Sequence, residues 1–294
     1  MGTTALTPAI GSVAAHGAAV TATVLVAAVL HAVWNALIKN VADRLAGFTL
    51  IDLTGMVVGA AAVPFLPIPE RASWGFLALS VALHVGYKSF LMGSYRLGDL
   101  SQVYPVARGI APLLVAVLAA LAGERLHLLQ LAGLAFISAG LLSLSIGRGA
   151  LAPGRRGALG FAIVTGVFIA AYTVSDGLGA RRSGTALGYI AWLFLLDGAA
   201  IPSYAAVTRG RRLGAALRVH LAAGLLGGVL SIVAYGLVVW AQTRGTLAAV
   251  AALRETSVIV AAGIGVVYFG ERIGRLRVLA ATLVAIGVIM LRGT

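Results

Sequence analysis

Ten apolar stretches, each about 20 residues long, recur along this 294-residue chain. They fall at about 20–38, 46–66, 73–95, 100–122, 126–146, 157–176, 185–207, 217–241, 246–269 and 274–292. A helix needs roughly 20 apolar residues to cross the hydrocarbon core of a bilayer. Each stretch therefore predicts a transmembrane helix. The connections are short and rich in turn-forming or basic residues, as in LPIPER, GRGALAPGRRG and TRGRRLG. Pro153, with Gly and Arg around it, marks the joint between two halves, 20–147 and 157–292, of five predicted helices each.

The halves echo one another at an offset of 147 residues. Gly98, Leu100, Val103, Gly123, Glu124, Arg125 and Gly140 meet identical residues at Gly245, Leu247, Val250, Gly270, Glu271, Arg272 and Gly287. Duplicated membrane domains are a common construction among secondary transporters. An odd number of crossings in the first copy inverts the second. The expected fold is thus an all-α integral membrane protein of ten transmembrane helices, arranged as two inverted five-helix repeats.

Composition agrees. Charged residues make up 11% of the chain, against about 25% in soluble domains. The formal net charge is +13, nearly all from Arg. These arginines stand singly or in short clusters between apolar runs, which suits helix ends at lipid headgroups. No basic stripe with interleaved aromatics is present, so nucleic-acid binding is not expected. The absence of Cys excludes disulfides and thiolate metal sites. The first 19 residues hold no Lys or Arg, and a secretory signal needs a basic start. The first apolar run is therefore read as a retained helix. Gly55-x-x-x-Gly59 and Gly224-x-x-x-Gly228 place small residues where helices can approach closely.

Ionisable groups deep in a bilayer are costly and usually face the bundle interior. His31, Asn35 and Lys39 share one face of the first helix, with Trp34 beside them. His84 and Lys88 repeat this spacing in the third, next to Tyr87. Lys88 lies mid-segment, placed to attract a substrate anion or to pair with a buried Asp. In the fourth helix Pro105 and Pro112 each remove a backbone donor and can bend or break the helix. Tyr104 and Arg108 share a face in that turn. Arg254 and Glu255 occupy the corresponding place in the second half.

The expected substrate-binding residues are therefore Lys88, Arg108, His31, Asn35, Trp34, Tyr87, Tyr104 and Arg254. Asp176, Asp197 and Glu255 are candidates for proton coupling, since buried carboxylates can carry protons. Asp52 is expected nearer the interface. Glu124-Arg125 and Glu271-Arg272 read as structural, with the preceding Gly as a helix C-cap and the Glu favouring the next helix N-terminus.

No catalytic or nucleotide-binding motif is present, and the His spacing makes no metal site. The chain is not expected to be an enzyme or to use a cofactor or metal. Its expected partners are a small-molecule substrate and membrane lipids, with a homodimer left open.

LHAVWNALIKN, YPVARGIAPLLVAVLAALAGERL, AYTVSDGLGARRSG and LRETSVIVAAGIGVVYFGERIG resemble EamA-type proteins of the drug/metabolite transporter superfamily. The resemblance runs from about 20 to 292. It implies two inverted five-helix repeats around a central cavity in a bacterial inner membrane. It also implies export of small metabolites, such as amino acids, by alternating access. The motif matches are Trp34-Asn35, Pro105 with Arg108, Gly123-Glu124 and Gly270-Glu271. The alternatives are a flippase for a lipid-linked sugar, which would open laterally, and a non-transporting membrane scaffold, which would have a dry interior.

Overall fold

A computed structural model describes residues 7–39, 41–97, 100–146, 156–270 and 274–292. Helices account for the secondary structure there, with no strand among the described residues. They are α1 (Thr7–Lys39), α2 (Arg44–Ala62), α3 (Arg71–Leu97), α4 (Leu100–Leu121), α5 (Leu128–Ile146) and α6 (Arg156–Arg181). Then come α7 (Ala186–Asp197), α8 (Ala200–Arg209), α9 (Arg212–Gln242), α10 (Leu247–Arg254), α11 (Ser257–Phe269) and α12 (Arg275–Arg292).

Seven helical segments among the described residues are long and apolar enough to cross a membrane. Two of these contain a break, Ala186–Arg209 across α7 and α8, and Leu247–Tyr268 across α10 and α11. Large apolar side chains such as Leu121, Leu128, Val207 and Val267 point outward. That surface suits lipid.

Close approach of backbones sets the frame. A Cβ at Gly59 would lie 2.6 Å from the Ala191 carbonyl oxygen, so α2 and α7 touch there with no room for a side chain. On the other flank of α2, a Cβ at Gly224 would meet Leu50 at 2.4 Å and one at Gly228 would meet Thr54 at 2.6 Å. Both Gly-x-x-x-Gly pairs thus lie at helix contacts, and α2 is gripped between α7 and α9. This fixes Asp52, halfway along α2, toward the middle of the molecule. The helices α5 and α12 also pack tightly. A Cβ at Gly133 would lie 2.8 Å from the Gly287 carbonyl oxygen, and one at Gly140 would lie 2.9 Å from that of Ala280.

The prolines and the breaks fall in different places. The helix α4 runs unbroken through Pro105 and Pro112. Contacts on both sides leave that segment little room to depart from helix. Gly109 lies under Leu142, and Gly166 of α6 sits against Ile110 and the Ala107 carbonyl oxygen. The corresponding helix of the second half does break, at Glu255-Thr256, between α10 and α11. No proline marks it.

Gly123 and Gly270 both take positive φ, 96° and 61°, as the capping reading requires. Glu124 then departs from expectation. Both its carboxylate oxygens accept from the Leu247 N–H at the start of α10, at 3.1 and 3.0 Å, and it pairs with Arg181 at 2.8 Å. It caps a helix of the other half rather than its own neighbour. Glu271 lies outside the described residues.

Candidate functional site

A cavity of about 140 Å³ opens among α1, α2, α3, α4, α6, α7, α8, α9 and α10. Of the residues singled out in the sequence, His31, Trp34, Asp52, His84, Tyr87, Lys88, Arg108, Asp197 and Arg254 line it. Asn35 does not, because its amide donates to the His31 carbonyl oxygen of its own helix at 2.7 Å. The Tyr104 side chain lies outside the described residues. Asp176 and Glu255 stand behind the wall, each held by a residue that lines it.

Two charged clusters define the cavity. In the first, Lys88 Nζ sits 2.8 Å from Asp52 Oδ2 and 2.8 Å from Asp197 Oδ2. Three helices are joined by one ammonium. Asp197 ends α7 just where that segment breaks, so the break delivers its carboxylate to Lys88. Formally the cluster holds one more acid than base. Asp52, expected nearer the interface, is buried inside the helix bundle and bonded to Lys88. Position along the sequence hid this, because the tilt and grip of α2 are set by α7 and α9.

In the second cluster, Arg108 Nε lies 2.8 Å from Glu255 Oε2, and its Nη2 donates to Ser257 Oγ at 3.2 Å. Arg254, the next residue along, is 4% exposed and lines the cavity. Its Nε has no hydrogen-bond partner among the described residues. This cluster formally holds one more base than acid. His31 completes it. Trp34 Nε1 donates to His31 Nδ1 at 3.3 Å, which leaves the proton on Nε2. That Nε2 is buried and unpartnered among the described residues.

Aromatic rings make the remaining wall. His84 stacks on Tyr172 with centroids 4.0 Å apart, and its Nδ1 lies 3.0 Å from the Ser80 carbonyl oxygen. Tyr87 meets Tyr172 edge-on, and Tyr235 meets both His84 and Phe194 edge-on. Sequence reading passed over Tyr235, Phe194 and Ser231. The repeat offset would have flagged two of them, because Tyr235 and Ser231 stand 147 residues after Lys88 and His84. Among the described residues no cluster of His, Asp and Glu has metal-binding geometry.

Several apolar spans around a buried, charge-lined cavity define the class, an all-helical multi-pass membrane protein. Residues 156–293 match the model of the EamA-like transporter family. A solved crystal structure of a protein is similar over 93% of this chain and 95% of its own, with a TM-score of 0.70 and 19% identity. That likeness is one of fold. Comparison with curated proteins gives no match.

Proposed function

We propose that the chain is a secondary transporter of small zwitterionic, amino-acid-like metabolites, working in a bacterial inner membrane by alternating access. One observation carries the substrate class. The same cavity is lined by an acid-rich cluster, Asp52–Lys88–Asp197, and a base-rich one, Arg108–Arg254 with Glu255 behind. A zwitterion complements both. Arg254, buried without an acid partner among the described residues, is the group to meet a carboxylate, with the His31 Nε2–H beside it. Charge-assisted hydrogen bonds of this kind are roughly twice as strong as neutral ones. The excess carboxylate around Lys88 receives the ammonium group. Trp34, Tyr87 and Tyr235 offer flat apolar walls to the rest of the solute.

Lys88 and Arg108 act in this reading as positioned, already-paired charges rather than as open anion receptors. Rocking of two inverted repeats, 20–147 and 157–292, is the proposed motion. Contacts between equivalent positions support that arrangement. Gly133 with Gly287 and Gly140 with Ala280 exchange places under the 147-residue offset. A two-fold relation between repeats has that consequence.

The test is thermal stabilisation of the purified protein by amino acids, organic acids, amines and a lipid-linked sugar. Binding to the folded state raises the apparent melting temperature. Stabilisation by a zwitterion, lost in Arg254→Ala, supports the reading. Stabilisation by a lipid-linked sugar alone transfers it to a flippase.

A further inference from the structure

Each of the acids around the cavity is ion-paired to a Lys or Arg, except one. Asp52 and Asp197 share Lys88, and Glu255 pairs with Arg108. Asp176, on α6, is 0% exposed and has no Lys or Arg in ion-pair contact among the described residues. Its partners are two phenols and the Ser80 side chain of α3. Tyr189 of α7 donates to Oδ1 at 3.2 Å, and Tyr235 of α9 donates to Oδ2.

The local sequence is shaped for this. Gly179 leaves the space the Tyr189 hydroxyl needs, since a Cβ there would lie 2.6 Å from that oxygen. Gly177 likewise admits Leu247, whose Cδ2 would lie 2.2 Å from a Cβ at that position. The acid is thus enclosed by its phenols on one side and by Ser80 and His84 of α3 on the other.

Polar and charged groups face it from five packed helices. On α3 stand Ser80, His84 and Lys88, the last held by its two carboxylates. On α4 stands Arg108, held by Glu255. On α6 itself is Tyr172, on α7 Tyr189, on α9 Tyr235 and on α10 Arg254. None of the cations reaches the carboxylate within ion-pair distance. An uncompensated buried carboxylate is expensive, and a proton is the smallest ligand that neutralises it.

Tyr235 is the way in. It lines the central cavity with its ring against His84, and its hydroxyl touches Asp176. One phenol therefore separates the acid from cavity water. We infer that Asp176 is a proton-binding site that exchanges with the cavity through Tyr235. On release, the carboxylic acid gives its proton to the Tyr235 oxygen as Tyr235 gives its own to a cavity water. The O–H bond of the acid breaks, a new phenol O–H forms, and hydronium leaves. Uptake is the reverse. On the transporter reading above, on which this clause alone rests, Asp176 is where the proton and solute cycles meet.

Infrared spectroscopy of the purified full-length protein reads the site without any solute. The C=O stretching band of a protonated carboxylic acid is followed across pH jumps. The expected result is a band that responds to pH, is lost in Asp176→Asn and persists in Asp52→Asn and Asp197→Asn. Tyr235→Phe keeps the band, shifts its frequency through loss of one hydrogen bond, and slows its response roughly tenfold or more. A band untouched by Asp176→Asn overturns the inference, as does an unchanged rate in Tyr235→Phe. A pH-responsive Asp176 band in a protein that moves no solute leaves the proton site standing and removes the transporter reading.

Discussion

Arg108 and Glu255 form a buried ion pair at 2.8 Å, and they stand 147 positions apart, the spacing of the internal repeat. Equivalent positions of two copies touch one another only near an axis that exchanges the copies. On the proposed two-fold relation between the repeats, the pair lies where they would move least against each other. It is suited to hold the halves together while the cavity to one side changes shape.

Removing one partner of this pair strands the other. Arg108→Ala or Glu255→Ala should each cost about 3–5 kcal/mol of stability, because an uncompensated charge stays buried. The double variant should cost clearly less than the sum of the two. Denaturation of the detergent-solubilised protein checks the cycle. Additive losses would mean the residues do not act as a pair.

The triad around Lys88 gives an asymmetric expectation. Lys88→Met leaves two buried carboxylates without their cation, while Asp197→Asn leaves a matched Asp52–Lys88 pair. Lys88→Met should therefore lower the thermal midpoint more than Asp197→Asn does. Ligand binding by Asp197→Asn should fall nonetheless, since the excess negative charge is gone. Thermal scans with and without solute separate the two effects.

Gly59→Ala should be destabilising out of proportion to its size. The new methyl carbon would lie 2.6 Å from the Ala191 carbonyl oxygen and 2.7 Å from the Leu195 nitrogen, both backbone atoms that cannot rotate away. Overpacking of this kind costs about 1–3 kcal/mol. Because α7 carries Asp197, the shift should also loosen the Lys88 triad. Gly75→Ala, with no neighbour within 4 Å of its would-be Cβ, is the control and should be near neutral.

Asp43 supplies a pH effect outside the spans. It caps α2 by accepting from the Ala46 N–H at 3.1 Å and pairs with Arg209 through both oxygens. Hydrogen bonds from Arg209 hold its carboxyl below the usual carboxylate range. A lowered folded-state value means stability that is complete above the ordinary carboxylate value and lost as pH falls through the lowered one. The pair is solvent-accessible, so screening keeps its share small, and the cap accounts for about 1 kcal/mol. Asp43→Ala should lower the thermal midpoint at neutral pH and converge with the wild type in acid. A constant gap across pH would place the effect elsewhere.

Much of the site was legible in residue type and spacing. Polar residues are so rare within these apolar runs that His31, Lys88, Arg108, Asp197 and Arg254 stood out, and all five line one cavity. Their partners were not legible. That Lys88 meets Asp52 and Asp197 depends on how α2, α3 and α7 cross, and the crossing is decided by glycine contacts remote in sequence. Asn35 shows the same limit, because its spacing suits the cavity while its own helix backbone takes the amide. The breaks were harder still. Proline is the visible breaker, yet α4 passes through two prolines intact while the second-half segment opens at Glu255-Thr256. Tertiary packing outweighed local preference at both places.

The central claim is that the cavity takes up and moves a small zwitterion. The most direct measurement is uptake of radiolabelled amino acids into proteoliposomes holding the full chain. The account predicts saturable uptake of at least one of them above protein-free vesicles, abolished in Arg254→Ala when that variant inserts and folds normally. Uptake no greater than in protein-free vesicles for every amino acid, or full uptake by Arg254→Ala, would contradict it.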